Sequence, residues 1–232
     1  NSGKTINRAI KSVINQKYKN WELVIIDSYS NDNTISIVNS YKSKKIKIYY
    51  IRKIKGLAKA RYLGIKKSKG NLIAFLDSDD EWNKNKLIYQ YKFYQIMSAQ
   101  FSCTEYSIVN KYKNKKKIRH KIDKFDFNYL LSNRPIALSS VMIDKKLALT
   151  KFKKYLKNQY AEDYLWWLVA LQNVKYCYLL KKNLSNIHLG DQNRSIKFIK
   201  NYKSLYNIYK KDFNFNYFKI FLIFIKLVFR TF

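Results

Sequence analysis

Gly70–Leu87 reads GNLIAFLDSDDEWNKNKL: an apolar run, then a cluster of carboxylates, then the start of a lysine-bearing segment. Asn71–Leu76 has the continuous hydrophobicity of a strand buried on both faces. The strand ends at Asp77-Ser78-Asp79-Asp80, and a helix is expected from about Lys84 to Met97. Upstream, the same alternation repeats. Apolar residues at Ile6, Ala9, Ile10, Val13 and Ile14 predict an amphipathic helix over Lys4–Gln16. Glu22–Asp27 (ELVIID) reads as a buried strand, and Asp32-Asn33-Thr34 as the cap of a helix reaching Tyr41. Ile46–Ile51 is a further strand, and Gly56–Lys67 a helix with Leu57, Ala60, Gly64 and Ile65 on one face. Strands alternating with helices predict an α/β fold, a doubly wound and mostly parallel sheet flanked by helices. Ligands of such sheets bind beyond the carboxyl ends of the strands, where Asp27 and Asp77–Asp80 lie.

The second half is less regular. Phe101–Val109, Ser139–Ile143 and Val174–Leu180 read as strands, Lys111–Arg119 as a basic solvated loop, and Glu162–Leu171 as a helix carrying Trp166 and Trp167. Two further helices close the chain. Residues 1–195 are expected to form the main domain and 196–232 a helical appendage. No repeat and no Pro/Gly linker interrupts it.

Composition bounds the function. With 47% hydrophobic and 17% aromatic residues, the 232-residue chain can bury a sizeable core. Its net charge of +32 resembles that of a polyanion binder. Lys, Asn, Ile, Tyr and Phe are inflated together, however, as an AT-rich genome would dictate, and nucleic acid is not the expected partner. Cys103 and Cys177 have no metal-ligand spacing and read as core residues suited to a reducing cytosol. A Ser-His-Asp order, a Gly-rich phosphate loop and a Cys/His zinc pattern are all lacking.

Three constellations can carry chemistry. The hard oxygens of Asp77-Ser78-Asp79 suit Mg2+ or Mn2+ bridging to a diphosphate; the alternative is a turn that caps the next helix. Glu162-Asp163 opens the Trp-rich helix, as a proton acceptor for a hydroxyl or as a complement to the helix dipole. His188 lies in Ser185–Ser195, read as a polar loop, where a metal or phosphate role would set it against the Asp77–Asp80 turn.

Taken in order, these segments resemble the family 2 glycosyltransferases with the GT-A fold. The likeness starts in NSGKTINRAIKSVINQKYKNWELVIIDSYSNDNT (from Asn1) and runs through GLAKARYLGI (Gly56–Ile65) and Gly70–Leu87. It returns in SSVMI (Ser139–Ile143), AEDYLWWL (Ala161–Leu168) and the segment around His188. The resemblance implies a metal-dependent, inverting hexosyl transfer from a nucleoside-diphosphate sugar to a glycan or lipid-linked acceptor, in bacterial cell-surface polysaccharide biosynthesis. It makes Asp27, Arg61, Asp77 and Ser78 nucleotide-sugar-binding residues and Asp79 the metal ligand, with His188 beside it. Asp163 becomes the catalytic base, and Glu162 orients the acceptor.

Two departures stand out. The chain opens on Asn-Ser-Gly-Lys without a Met and reads as a fragment lacking the family's opening strand, so the sheet is expected to lack a central strand. Tyr29 replaces the usual Gly after Asp27, at a position that calls for positive φ. These departures leave a catalytically impaired relative, or a basic polyanion-binding module, as the alternative. Tyr217–Phe232 (YFKIFLIFIKLVFRTF) is too interrupted by Lys219, Lys226 and Arg230 to span a bilayer. It reads as an amphipathic helix, packed on the domain or lying on an anionic membrane surface, which would place the protein in the cytoplasm at the inner face of the membrane.

Overall fold

Strands and helices alternate through the first half of the computed structural model, which describes residues 1–51, 56–156, 161–189 and 198–229. The order is α1 (Ile6–Ile14), β1 (Leu23–Asp27), α2 (Thr34–Ser40), β2 (Ile46–Tyr50), α3 (Leu57–Lys67), β3 (Leu72–Ala74), β4 (Glu81–Trp82) and α4 (Lys86–Met97). The α1 stripe of Ile6, Ala9, Ile10 and Val13 is buried, as its spacing requires. Thr34 donates through both N and Oγ1 to Asp32 Oδ1, which starts α2.

The second half supplies β5 (Phe101–Val109), β6 (Lys115–Ile118), β7 (Lys124–Phe125), α5 (Phe127–Asn133), β8 (Met142–Asp144), α6 (Lys145–Phe152), α7 (Glu162–Leu171), β9 (Cys177–His188), α8 (Phe198–Asn207) and α9 (Tyr217–Phe229). The basic segment expected to be a loop instead forms β6, pairing antiparallel with β5 from Tyr106–Ile118 to Val109–Lys115. The strand expected to end at Leu180 runs on to His188, because β5 offers it a parallel partner as far as Val109. His188 therefore ends a strand rather than sitting in a loop. The rest of the expected loop, the boundary at 195/196 and Arg230 lie outside the described residues.

The fold is the expected α/β class, with parallel pairing in β1–β2 and in the long β5–β9 ladder. Two sheets are present. One is β1–β2; the other runs β3-β8-β5-β9-β4, with β6 on β5 and β7 on β9. Among the described residues no strand pairing joins them. Between β1 and β3 lies an apolar slot of about 870 Å3, lined by Leu23 and Ile25, by Leu72 and Ala74, and by residues of α1 and α3. The slot stands where the sequence is expected to lack a central strand.

The main core lies under the larger sheet. α7 is apolar on all sides and buries every residue except Asp163, which is the signature of a helix inside the protein. Trp166 stacks on Phe152 at 4.5 Å between ring centroids, and Trp167 packs on Phe75 and Phe101. Leu205, Ile208, Tyr209, Ile220 and Ile223 of the C-terminal helical segment join the same core.

One cation is trapped inside. Lys86 is fully buried, donates from Nζ to Gln90 Oε1 at 2.7 Å, and lies over the Trp82 ring. Burial pushes its ammonium down to about 7. The unfolded chain holds this proton up to about pH 10.4, so above pH 7 folding releases it and stability rises with pH. The contribution is complete above the unfolded value and is lost as pH falls toward 7. Lys86→Met removes it, so any stability advantage of the variant at pH 7 should shrink by about 1 kcal/mol per pH unit toward pH 9. Urea melts of both proteins at pH 7, 8 and 9 measure this; a constant difference would contradict a neutral buried Lys86.

Candidate active site

β1 ends at Asp27, whose buried carboxylate accepts from Ser30 N at 3.1 Å. Tyr29, in the turn that follows, adopts φ 63°, the left-handed conformation that a Gly would take more easily. Its ring is exposed beside a cavity of about 170 Å3, lined by Asp27, Tyr29, Ser30, Ile35, Tyr50 and Ile51. An acceptor at the bottom and aromatic and aliphatic walls suit a flat, polar-edged group.

The strand of Leu72–Ala74 leads into the second arm of the site. Asp80 N donates to Asp77 O at 3.1 Å and closes a turn. Asp77, Asp79 and Asp80 each bring a carboxylate oxygen to within 4.8 Å of the others. Burial raises Asp79, and Asp77 adds to the effect. Burial likewise drives Asp80 up to about 7; the Ser139 hydroxyl and His188 N–H oppose it, while Asp77 and Asp79 reinforce it. Three crowded carboxylates of which two resist ionisation form a set that a divalent cation would relieve. Hard oxygen donors suit Mg2+ or Mn2+.

Ser139, whose significance the sequence did not reveal, brackets this turn. Its Oγ donates to Asp80 Oδ2 at 2.6 Å and accepts from Asp77 N at 3.1 Å. Its carbonyl accepts from Trp82 Nε1 and Ser185 Oγ. Ser78 lies on the other side, its Oγ sharing a hydrogen bond of 2.7 Å with Ser2 Oγ. Arg8 of α1 also escapes sequence reasoning; its guanidinium donates to the Asp79 carbonyl.

Arg61 joins the turn to α7. From the middle of α3 it reaches Asp77 Oδ1 at 2.8 Å through one nitrogen and Glu162 Oε1 through another. Burial opposes its charge, but Asp77, Glu162 and Asp163 outweigh that and raise the guanidinium further. Glu162 is itself raised by burial, with Arg61 pulling it back. The geometry is that of a charged, carboxylate-clamped guanidinium. Asp163 is more open, its Oδ1 accepting from Tyr164 N at 2.8 Å.

His188 comes to the same turn by another route. Its backbone N donates to Asp80 Oδ1 at 2.9 Å, and its Nε2 lies 3.3 Å from Glu81 Oε1, which also accepts from Asn186 Nδ2. Burial and the Arg8 charge hold its imidazole below its usual value, against the pull of Glu81 and Asp79. The ring faces Glu81, so a bond from Nε2 to a cation requires that contact to open. Thus Asp77, Ser78, Asp79, Arg61, Glu162 and His188 converge on one end of the larger sheet, with Asp163 next to Glu162. Asp27 stands across the slot at the same end of the smaller sheet.

A family model described as Glycosyl transferase family 2 matches residues 1–157. The UDP-Glc:alpha-D-GlcNAc-diphosphoundecaprenol beta-1,3-glucosyltransferase WfgD of Escherichia coli is 35% identical over 192 residues, 82% of this chain and 70% of its own length. The poly(ribitol-phosphate) beta-N-acetylglucosaminyltransferase TarP of Staphylococcus aureus is 32% identical over 188 residues, 75% of this chain and 56% of its own. The crystal structure of S. aureus TarS in complex with UDP superposes with a TM-score of 0.71 at 21% identity, covering 98% of this chain and 68% of that one. This last likeness speaks for the fold. By the matched domain and by these relatives, the chain belongs to glycosyl transferase family 2 and is a glycosyltransferase.

Proposed function

We infer that the protein transfers a hexosyl group, with inversion, from a nucleoside-diphosphate sugar to a hydroxyl of a glycan or lipid-linked acceptor in bacterial cell-surface polysaccharide biosynthesis. The observation that carries this reading is the Arg61 clamp, which ties Asp77 of the carboxylate turn to Glu162, the neighbour of Asp163. The proton acceptor is thereby held next to the place where a diphosphate would leave. The names of WfgD and TarP, a UDP-Glc-dependent enzyme and a glycosyltransferase of a cell-surface polymer, support the donor and the setting.

In this reading the nucleobase occupies the cavity over Asp27, and Arg61, Asp77 and Ser78 face the sugar nucleotide. Asp79, with Asp77 and Asp80, holds Mn2+ or Mg2+, and His188 stands beside them. When bound, the cation neutralises charge on the departing diphosphate. The Asp163 carboxylate takes the proton from the acceptor hydroxyl. That oxygen then bonds to the anomeric carbon as the carbon–oxygen bond to the diphosphate breaks and the nucleoside diphosphate leaves. Glu162, locked to Arg61, orients this end of α7.

Residues 1–195 carry the chemistry, and 196–232 serve as an appendage that also meets the membrane. Along α9, Tyr217, Phe218, Phe221 and Leu222 are exposed while Ile220 and Ile223 pack inward. Lys219 and Lys226 lie on the same helix. No described helix is long and apolar enough to cross a membrane. An aromatic face edged by cations suits peripheral binding to an anionic lipid surface at the inner face of the cell membrane.

Calorimetric titration of UDP, GDP and dTDP, with and without Mn2+, tests the donor site. One nucleotide should bind only with metal, and Asp79→Ala should abolish that binding. Metal-independent binding, unchanged in Asp79→Ala, would remove the metal from the reading. Asp163→Asn should lower turnover about 10²–10⁴-fold while nucleotide affinity stays within a few-fold of the original. Equal loss of both would count against Asp163 as the base.

A further inference from the structure

The slot between β1 and β3 has the features of a vacant strand position. β1 pairs with β2 on one side only, and β3 with β8 on one side only, among the described residues. Leu23 N donates to Lys45 O, and Asp27 O accepts from Ile51 N, so alternate residues of β1 face β2. The N–H and C=O of Val24 and Ile26 consequently point into the slot. Asn71 O accepts from Lys145 N, which turns Asn71 and Ile73 toward β8 and Leu72 and Ala74 toward the slot. Both walls thus present unpaired backbone groups above an apolar lining, an arrangement that buried structure does not leave unsatisfied. The side chains agree: Leu23, Val24, Ile25 and Ile26 are only partly buried, although an apolar run of this kind belongs in a covered central strand.

The two ends of the slot say which way an occupant runs. At the amino end, Glu22 Oε1 accepts from the backbone N–H groups of Lys69 and Gly70 and bridges the starts of both strands. At the carboxyl end the chain terminus itself is anchored. Asn1 donates from its ammonium to Ser30 Oγ at 3.1 Å, beyond β1, and Ser2 Oγ meets Ser78 Oγ at 2.7 Å, beyond β3. Residues joined ahead of Asn1 would start from this mouth and descend between the two edges. Read from amino to carboxyl end, they run parallel to both β1 and β3. The resulting strand–α1–β1 unit is the helix crossover that parallel neighbours require.

We propose that this slot binds one extended, Val/Ile-rich strand of about six residues, supplied in cis ahead of Asn1 and parallel to β1 and β3. Filled, it joins the two sheets into one and sets Asp27 and the Asp77 turn at a fixed distance. The slot thereby becomes a control point for the candidate site without contributing a side chain to the chemistry. A polar ligand does not suit it, because the groups on offer are two ladders of backbone donors and acceptors spaced for a strand.

Three proteins test this: the 232-residue chain, the same chain with a Val/Ile-rich extension of about six residues ahead of Asn1, and that extension with two prolines at its centre. Proline removes the ladder donors while keeping length and much of the apolar character. Amide hydrogen exchange is read at Val24, Ile26, Leu72 and Ala74. The Val/Ile extension should slow exchange at these four amides at least tenfold and raise the melting temperature, and the proline version should do neither. Equal exchange in all three proteins would overturn the proposal. Protection that appears only with rising concentration, alongside a dimer on size-exclusion chromatography, would assign the slot to a second copy and overturn supply in cis. Protection without nucleotide binding would leave the slot intact and count against the reading of the active site.

Discussion

Arg61 is the interaction on which the site depends. A guanidinium shared between Asp77 and Glu162 links α3, the turn after β3 and the amino end of α7, three elements that come together only when the chain folds. It is largely buried, and Glu162 more so. Removing one partner from such a buried pair leaves an uncompensated charge, at a cost of about 3–5 kcal/mol. The clamp therefore serves positioning more than net stability. It opposes the mutual repulsion of Asp77, Glu162 and Asp163 and leaves Asp79 and Asp80 as the carboxylates without a cation of their own, next to a turn that Ser139 braces.

Rigidity behind that clamp comes from α7 and its surroundings. Trp166 and Trp167 fill the space between the larger sheet and α6, with Phe152, Phe75 and Phe101 against them. Neither indole N–H finds a partner, a polar penalty that the large apolar area of the rings offsets. A helix buried so completely cannot shift without disturbing the whole core, so the Glu162-Asp163 pair at its start is held by packing as well as by charge. The smaller sheet lacks this support. It is a two-stranded unit fastened to the rest through α1, α3 and the Glu22 bridge, and Asp27 inherits its position from those contacts.

Much of the fold was legible because local pattern and tertiary burial agree. The α1 stripe, the apolar runs that became β1, β2 and β3, and the carboxylates at the strand ends are all visible in linear sequence. Tyr29 was marked as a residue in a glycine's place, and it does adopt positive φ. Other elements left a local signal that was passed over. Asp126 caps α5 by accepting from Tyr129 N, and Asp144 caps α6 by accepting from Leu147 N; each is an acid three residues ahead of the amide it serves. β6 had no such signal. Lys115–Lys117 form a strand because β5 offers an open edge, and lysines are tolerated there because the edge faces water.

By itself the sequence determined the alternation of strands and helices, the placing of carboxylates at strand ends, and the residues Asp27, Asp77, Asp79, Glu162 and Asp163 as the chemical vocabulary. These follow from periodicity and from the chemistry of short segments. Only the tertiary structure decided that Arg61 joins Asp77 to Glu162, that Asp80 and Ser139 complete the turn, and that His188 ends a strand with its ring against Glu81. Those contacts span from 16 residues to more than a hundred, and no local pattern encodes a pairing whose partners are brought together by sheet register and core packing. The open slot between β1 and β3 belongs to the same category, because an unpaired edge exists only relative to the strands that do pair.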